Sequence, residues 1–132
     1  MFEKVLVALH DYDCRFVVVG STARALIGDA VVPSDIDIVI DPSPDGRRRL
    51  LRALTDLDAM VETRNGWRQV ARCPALPWEW GFRAFTSAGQ VDIVTRFVDG
   101  TTIDDHDAQA ATVWLEAGFS VRVRPTRQAD AA

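Results

Sequence analysis

Three patterns in the sequence predict an α+β domain. Residues 16–19, FVVV, are apolar on both faces and rich in valine, as befits a central strand in a covered sheet. Residues 59–63 with 67–71, and residues 82–86 with 90–95, read as two antiparallel pairs around the small turns Arg64-Asn65-Gly66 and Ser87-Ala88-Gly89. Residues 47–57 place Leu50, Leu51, Leu54 and Leu57 at helical spacing.

In chain order, residues 2–11 carry Phe2, Val5, Leu6 and Leu9 at helical spacing, which predicts an amphipathic helix covering the sheet. The strand 16–19 stops at Gly20. Ser21 or Thr22 is expected to cap a helix over 22–27, with Gly28 at its C-terminal end. A connection over 29–34 leads to a strand over 35–40, because Pro33 biases Val32 toward an extended conformation. PSPDG, residues 42–46, reads as a loop before the helix 47–57, whose first turn would then hold Arg47, Arg48 and Arg49. Residues 73–80, CPALPWEW, carry two prolines and two tryptophans and read as a loop. Residues 101–107 read as a polar, acidic connection and 108–115 as weakly helical. Residues 119–123 alternate as a final edge strand whose open edge could pair with another copy. The domain is expected over residues 1–125, with 126–132 as a flexible tail.

The chain has 132 residues, enough for one domain with a real core. A hydrophobic fraction of 48% and a charged fraction of 26% exclude a disordered chain. No apolar run is long enough to span a bilayer, and the N-terminus lacks the pattern of a signal peptide, so a cytoplasmic location is expected. A net charge of −4 speaks against a broad basic footprint for nucleic acid. Cys14 and Cys73 have no metal-site spacing and read as reduced thiols.

The stretch 16–41 carries chemistry. Side chains alternate along a strand, so Asp35 and Asp37 project to one side and Ile36, Ile38 and Ile40 to the other. Crowded carboxylates need a compensating cation, and an oxygen-only pair suits a hard ion such as Mg2+, with Mn2+ as the alternative. Gly20-Ser21, between an apolar strand and a helix, reads as a phosphate-binding turn facing that strand. Taken alone, Gly20-Ser21 fits any strand-to-helix turn and the two aspartates fit an exposed strand face. Asp92, inside the apolar run VDIV, is the third conspicuous carboxylate. Arg24 could reach a phosphate or sit on the surface. Trp78 and Trp80 could stack a base or pack on the core, and Arg96 could point at a phosphate. His106, in DDHD, reads as part of a solvated acidic loop rather than a metal ligand.

Gly20-Ser21, the gap 22–34, Asp35-Ile36-Asp37 in an apolar strand and the later Asp92 in a second such strand together resemble the polymerase-beta-type nucleotidyltransferase superfamily. SDIDIVID is similar to the minimal members. FTSAGQVDIVTRFVDG is similar to bacterial stand-alone members, including components of toxin–antitoxin systems. The resemblance covers roughly residues 16–97. It implies a mixed β-sheet with helices packed mainly on one face. It also implies transfer of a nucleoside monophosphate from an NTP to a hydroxyl of RNA, protein or a small molecule, with release of pyrophosphate. On this resemblance Asp35, Asp37 and Asp92 are the metal-binding and catalytic residues, and Gly20, Ser21 and Arg24 bind the nucleotide. A non-catalytic nucleotide-binding or partner-binding module of the same fold is the alternative. Larger members continue into a helical substrate-binding region, so the expectation is that either a second copy or a partner subunit completes the acceptor site, or the domain works as a compact unit on a small or flexible acceptor.

Overall fold

The computed structural model describes residues 2–73 and 75–125; the expected tail, 126–132, lies outside the described residues. Helix α1 (Glu3–Asp11) leads to strand β1 (Phe16–Val19), helix α2 (Gly20–Leu26) and strand β2 (Ile36–Ile40). Helix α3 (Pro44–Asp56) is followed by the hairpin of β3 (Met60–Thr63) and β4 (Gly66–Gln69), then a 3-10 turn, Val70–Arg72. A second hairpin pairs β5 (Gly81–Thr86) with β6 (Gly89–Val94), and helix α4 (Ile103–Ala108), β7 (Ala111–Trp114) and β8 (Ser120–Val123) complete the order. The strands form one mixed sheet in the order β4-β3-β5-β6-β2-β1-β8-β7. β1–β8 and β2–β6 are parallel, and the remaining neighbours are antiparallel.

Alternation divides the central strands into two unlike faces. Val18, Ile36, Ile38 and Ile40 point into the main core, where α1 contributes Val5, Leu6 and Leu9 and α3 contributes Leu50, Ala53 and Leu54. Each such valine, leucine or isoleucine side chain stabilises the fold by about 1.5–3 kcal/mol when fully buried. Val17, Val19 and Val39 point the other way, into a smaller cluster closed by Phe97 and by Ile103 of α4. The two longer helices thus share one face, as expected, and the short α4 covers only part of the other. Among the described residues no helix is long and apolar enough to cross a membrane. Cys14 and Cys73 are free and half-buried, and burial pushes the Cys14 thiol up to about 11.

Several sequence expectations need correction. α3 begins at Pro44, inside the expected loop, because the Ser43 side chain accepts from Gly46 N and proline suits a first turn. Its first turn therefore holds Asp45 rather than the arginines, and Arg48 and Arg49 pair back to Asp45. Neither Ser21 nor Thr22 caps α2, whose N-cap is Val19. Residues 101–107 are not a plain connection: Thr102 and Asp105 form a reciprocal capping box that starts α4. The expected helix over 108–115 is largely strand β7, because Thr112 to Trp114 pair antiparallel with β8 and that pairing overrides a weak alanine preference. β8 is consequently not the edge strand. It lies between β1 and β7, and the sheet edges are β4 and β7.

Candidate active site

The acidic residues meet because two strands run side by side in register. Asp37 of β2 is the direct neighbour of Asp92 of β6 in their parallel ladder, and Asp35 immediately precedes β2 on the same face. One carboxylate oxygen from each of the three can be chosen so that all lie within 4.8 Å of one another. All three residues are half-buried. Among the described residues this is the one grouping of three or more His, Cys, Asp or Glu side chains close enough to share a metal ion.

The opposite wall is the turn after β1. Val19 pairs with Asp37, so Gly20 begins α2 directly over that carboxylate, with φ at +68°. A Cβ there would stand 2.4 Å from Asp37 Oδ2, which gives glycine both a conformational and a steric reason. Thr22 Oγ1 donates to the Asp35 carbonyl at 2.7 Å, tying α2 to the start of β2. Ser21 is half-buried and Arg24 exposed, and both line an open cleft of about 1020 Å3 that also holds Asp35, Asp37, Asp92 and Trp80. Arg24 is meanwhile paired with Asp29 at 3.2 Å.

Two residues that sequence reasoning missed complete the cluster. Arg83 of β5 pairs with Asp92 across the β5–β6 hairpin, and its Nε donates to Asp92 Oδ1 at 2.8 Å. Gln90, two positions before Asp92 on the same face, donates from Nε2 to Asp35 Oδ2 at 3.1 Å and more weakly to Asp92 Oδ1 at 3.4 Å. Gln90 was accessible from alternation alone. Arg83 required the hairpin register: the loop is Ser87-Ala88, with Thr86 paired to Gly89, whereas a three-residue turn through Gly89 shifts pairing by one and sends Arg83 to the other face.

Electrostatics separates the three carboxyls. Burial, then the neighbouring Asp35 and Asp92, push Asp37 up to about 7. Asp35 is raised for the same reasons, burial first and Asp92 second. Burial also acts upward on Asp92, but the hydrogen bonds from Arg83, Asp35 and Asp37 together outweigh it and hold Asp92 below the usual carboxylate range. A clustered, oxygen-only donor set whose protons are retained by burial and crowding fits a hard divalent cation, which would relieve the repulsion among the three carboxylates.

Other sequence candidates fall elsewhere. Trp80 stands at the cleft with the Arg96 guanidinium over its ring at 4.1 Å, and Arg96 also pairs with Glu79. Trp78 packs edge-on against Phe82 and lines a separate groove on α3, with Arg47 over its ring at 5.2 Å. His106 is buried rather than solvated: Arg124 donates to its Nδ1, and its Nε2 stands 2.8 Å from Thr101 Oγ1. It takes no part in the acidic cluster.

No family model matches the chain, and no curated protein does. Among solved structures the chain is similar to the crystal structure of ANT(2")-Ia in complex with adenylyl-2"-tobramycin, with a TM-score of 0.55 and 18% identity over 93% of this chain and 66% of that one. It is also similar to the solution structure of the antibiotic-resistance factor ANT(2'')-Ia, with a TM-score of 0.56 and 18% identity over 93% of this chain and 62% of that one. The chain thus spans just under two thirds of the length of these structures. Both are structures of an aminoglycoside nucleotidyltransferase of the polymerase-beta type. At this identity the likeness concerns architecture, and the chain has a nucleotidyltransferase-like α+β fold.

Proposed function

We propose that this protein is a Mg2+-dependent nucleotidyltransferase that moves a nucleoside monophosphate from an NTP to a hydroxyl and releases pyrophosphate. The observation that carries this reading is the convergence of Asp35, Asp37 and Asp92 across β2 and β6, opposite the Gly20-Ser21 turn, in one open cleft. Asp35, Asp37 and Asp92 would hold the metal, with Mn2+ able to substitute. Bound there, it would neutralise triphosphate charge and lower the pKa of the attacking hydroxyl.

The chain's own residues divide the remaining work. Gly20 leaves the wall open where a side chain would meet Asp37, so phosphates can approach the backbone. Ser21 would donate its hydroxyl to the β- or γ-phosphate, and Arg24, on the same wall, would exchange Asp29 for a phosphate oxygen. Asp92, level with Asp37 in the β2–β6 ladder, would ligate the metal and, in the same reading, accept the proton of the attacking hydroxyl. The acceptor oxygen then bonds to the α-phosphorus as the bond to the bridging oxygen breaks, and that electron pair leaves with pyrophosphate. Positioning and charge neutralisation supply the rate.

The ligand named for the neighbour, adenylyl-2"-tobramycin, makes a small hydroxylated molecule the acceptor class to test first. RNA and protein acceptors follow, including a toxin–antitoxin partner in the cytoplasm. The open edges of β4 and β7 offer a second copy or a partner subunit a place to complete the acceptor site. The test is incubation with Mg2+ or Mn2+, each α-labelled NTP and the three acceptor classes. Label transfer that is lost in Asp37→Ala is expected. Neither nucleotide binding nor transfer, with Asp37→Ala behaving identically, would overturn the reading. Metal-dependent nucleotide binding without transfer would leave the non-catalytic module.

A further inference from the structure

Arg83 is the one cation that the structure hydrogen-bonds to the acidic cluster among the described residues, and the transfer reading on which this inference rests gives it no role toward metal or substrate. Its one side-chain hydrogen bond among the described residues runs from Nε to Asp92 Oδ1 at 2.8 Å, and its side chain is 58% exposed against 22% for Asp92. It makes no other ion pair among the described residues. Gln90 donates to the same Asp92 oxygen and to Asp35, so one neutral donor bridges Asp35 and Asp92 while one charged donor sits on Asp92.

A divalent cation entering this cluster meets the Arg83 guanidinium at short range, where like-charge repulsion in a half-buried site is large. An ion pair whose guanidinium is largely exposed is loosely held on that side, and a long side chain can leave it without disturbing the strand that carries it. Arg83 lines the same cleft as Gly20 and Ser21. A guanidinium released there has a natural partner in the phosphate oxygens of a nucleotide, whose planar two-point geometry it matches.

We propose that Arg83 is a displaceable counter-ion: it neutralises Asp92 before metal binds, competes with the divalent cation for that carboxylate, and on displacement pairs with a phosphate of the metal-bound nucleotide. The opposite arrangement, in which Arg83 stays in place and holds Asp92 toward the metal, predicts metal binding of the opposite sign when Arg83 is removed.

The experiment is Mn2+ titration followed by EPR without nucleotide, on the wild type, Arg83→Gln, Arg83→Lys and Asp37→Asn, with ATP binding measured in parallel at saturating Mg2+. Arg83→Gln is expected to bind Mn2+ roughly five-fold more tightly, the scale of one partly exposed ion pair, and Mg2+–ATP at least about ten-fold more weakly. Arg83→Lys, which keeps the charge, is expected to stay close to the wild type for Mn2+ and serves as the control for folding. Unchanged or weakened Mn2+ binding in Arg83→Gln, or unchanged ATP binding, overturns the inference. If Asp37→Asn loses Mn2+ while Arg83→Gln leaves it unaltered, this inference alone fails. If the wild type binds no Mn2+, or Asp37→Asn binds it equally well, the transfer reading fails and takes this one with it.

Discussion

Gly20 sits so close over Asp37 that a Cβ added to it would stand 2.4 Å from Oδ2. The cause is the β1–β2 register, which sets Val19 against Asp37 and turns the next residue, at φ +68°, across the carboxylate. Gly20→Ala therefore combines a left-handed backbone, which disfavours alanine by about 1–2 kcal/mol, with displacement of a cluster carboxylate. A fall of several degrees in melting temperature and a Mn2+ affinity at least roughly ten-fold lower are expected. Calorimetry and EPR titration read the two effects separately. Unaltered metal binding would mean that the glycine serves only the turn.

The raised Asp37 carboxyl predicts an unusual pH profile for the metal-free protein. The unfolded chain releases this proton near 3.8, whereas the folded chain keeps it until about 7. Between those values the folded state binds more protons, so this group's contribution to stability is full below about 3.8 and is lost as pH rises through about 7. Asp35 acts in the same direction. Urea denaturation at pH 5 and pH 8 should show the wild type losing more stability over that rise than Asp37→Asn. Mg2+ should in turn raise the wild-type melting temperature more at pH 8 than at pH 5, because only the ionised cluster binds it well. A pH-independent metal effect would contradict this assignment.

The Thr22 hydroxyl links α2 to the Asp35 carbonyl at 2.7 Å. Thr22→Val keeps the shape and leaves that carbonyl without its donor, at an expected cost of about 1 kcal/mol in chemical denaturation. Because the same bond positions the residue that begins the acidic pair, Mn2+ affinity should weaken as well. Thr22→Ser should retain both properties. Loss in the serine variant with none in the valine variant would assign the effect to packing of the γ-methyl.

His106 is the buried centre of a polar chain that runs out to the exposed Asp99. Arg124 can only donate, so Nδ1 accepts; Nε2 then carries the proton toward Thr101 Oγ1, whose own hydroxyl donates to Asp99 Oδ1 at 2.6 Å. Burial first, and the Arg124 charge second, lower its pKa below 6.5. Its contribution to stability is therefore present above 6.5 and lost as pH falls through the lowered folded value. Nitrogen-15 NMR should show a neutral ring protonated on Nε2 at pH 7. His106→Leu should flatten the acid limb of the stability curve, and an Nδ1-protonated ring would refute the chain.

Much of the fold was legible because local patterns and long-range packing agree. The strand 16–19, the helix 2–11 and the leucine spacing after residue 47 each bury the side chains their periodicity selects, including Val18, Leu9 and Leu54. Legibility failed where a side chain's partner lies close by but is polar. Ser43 starts α3 and Thr102 with Asp105 starts α4, and neither pair stands out in a reading weighted toward apolar spacing. It failed again at β7, whose exposed residues have little apolar signal and become a strand through pairing with β8.

The sequence by itself determined the chemistry of the acidic residues: their oxygen-only character, the alternation that puts Asp35 and Asp37 on one face, and the glycine between a strand and a helix. Only the tertiary structure decided that Asp92 joins them, because its place depends on β6 lying parallel to β2 with residue 37 level with residue 92. The same holds for Arg83, which depends on a two-residue hairpin loop, since a slip of one position turns a side chain to the opposite face. Alternation is a property of one strand and can be read along the chain. Register is a relation between two strands, set by the packing of both faces of the sheet and by the turns that join them.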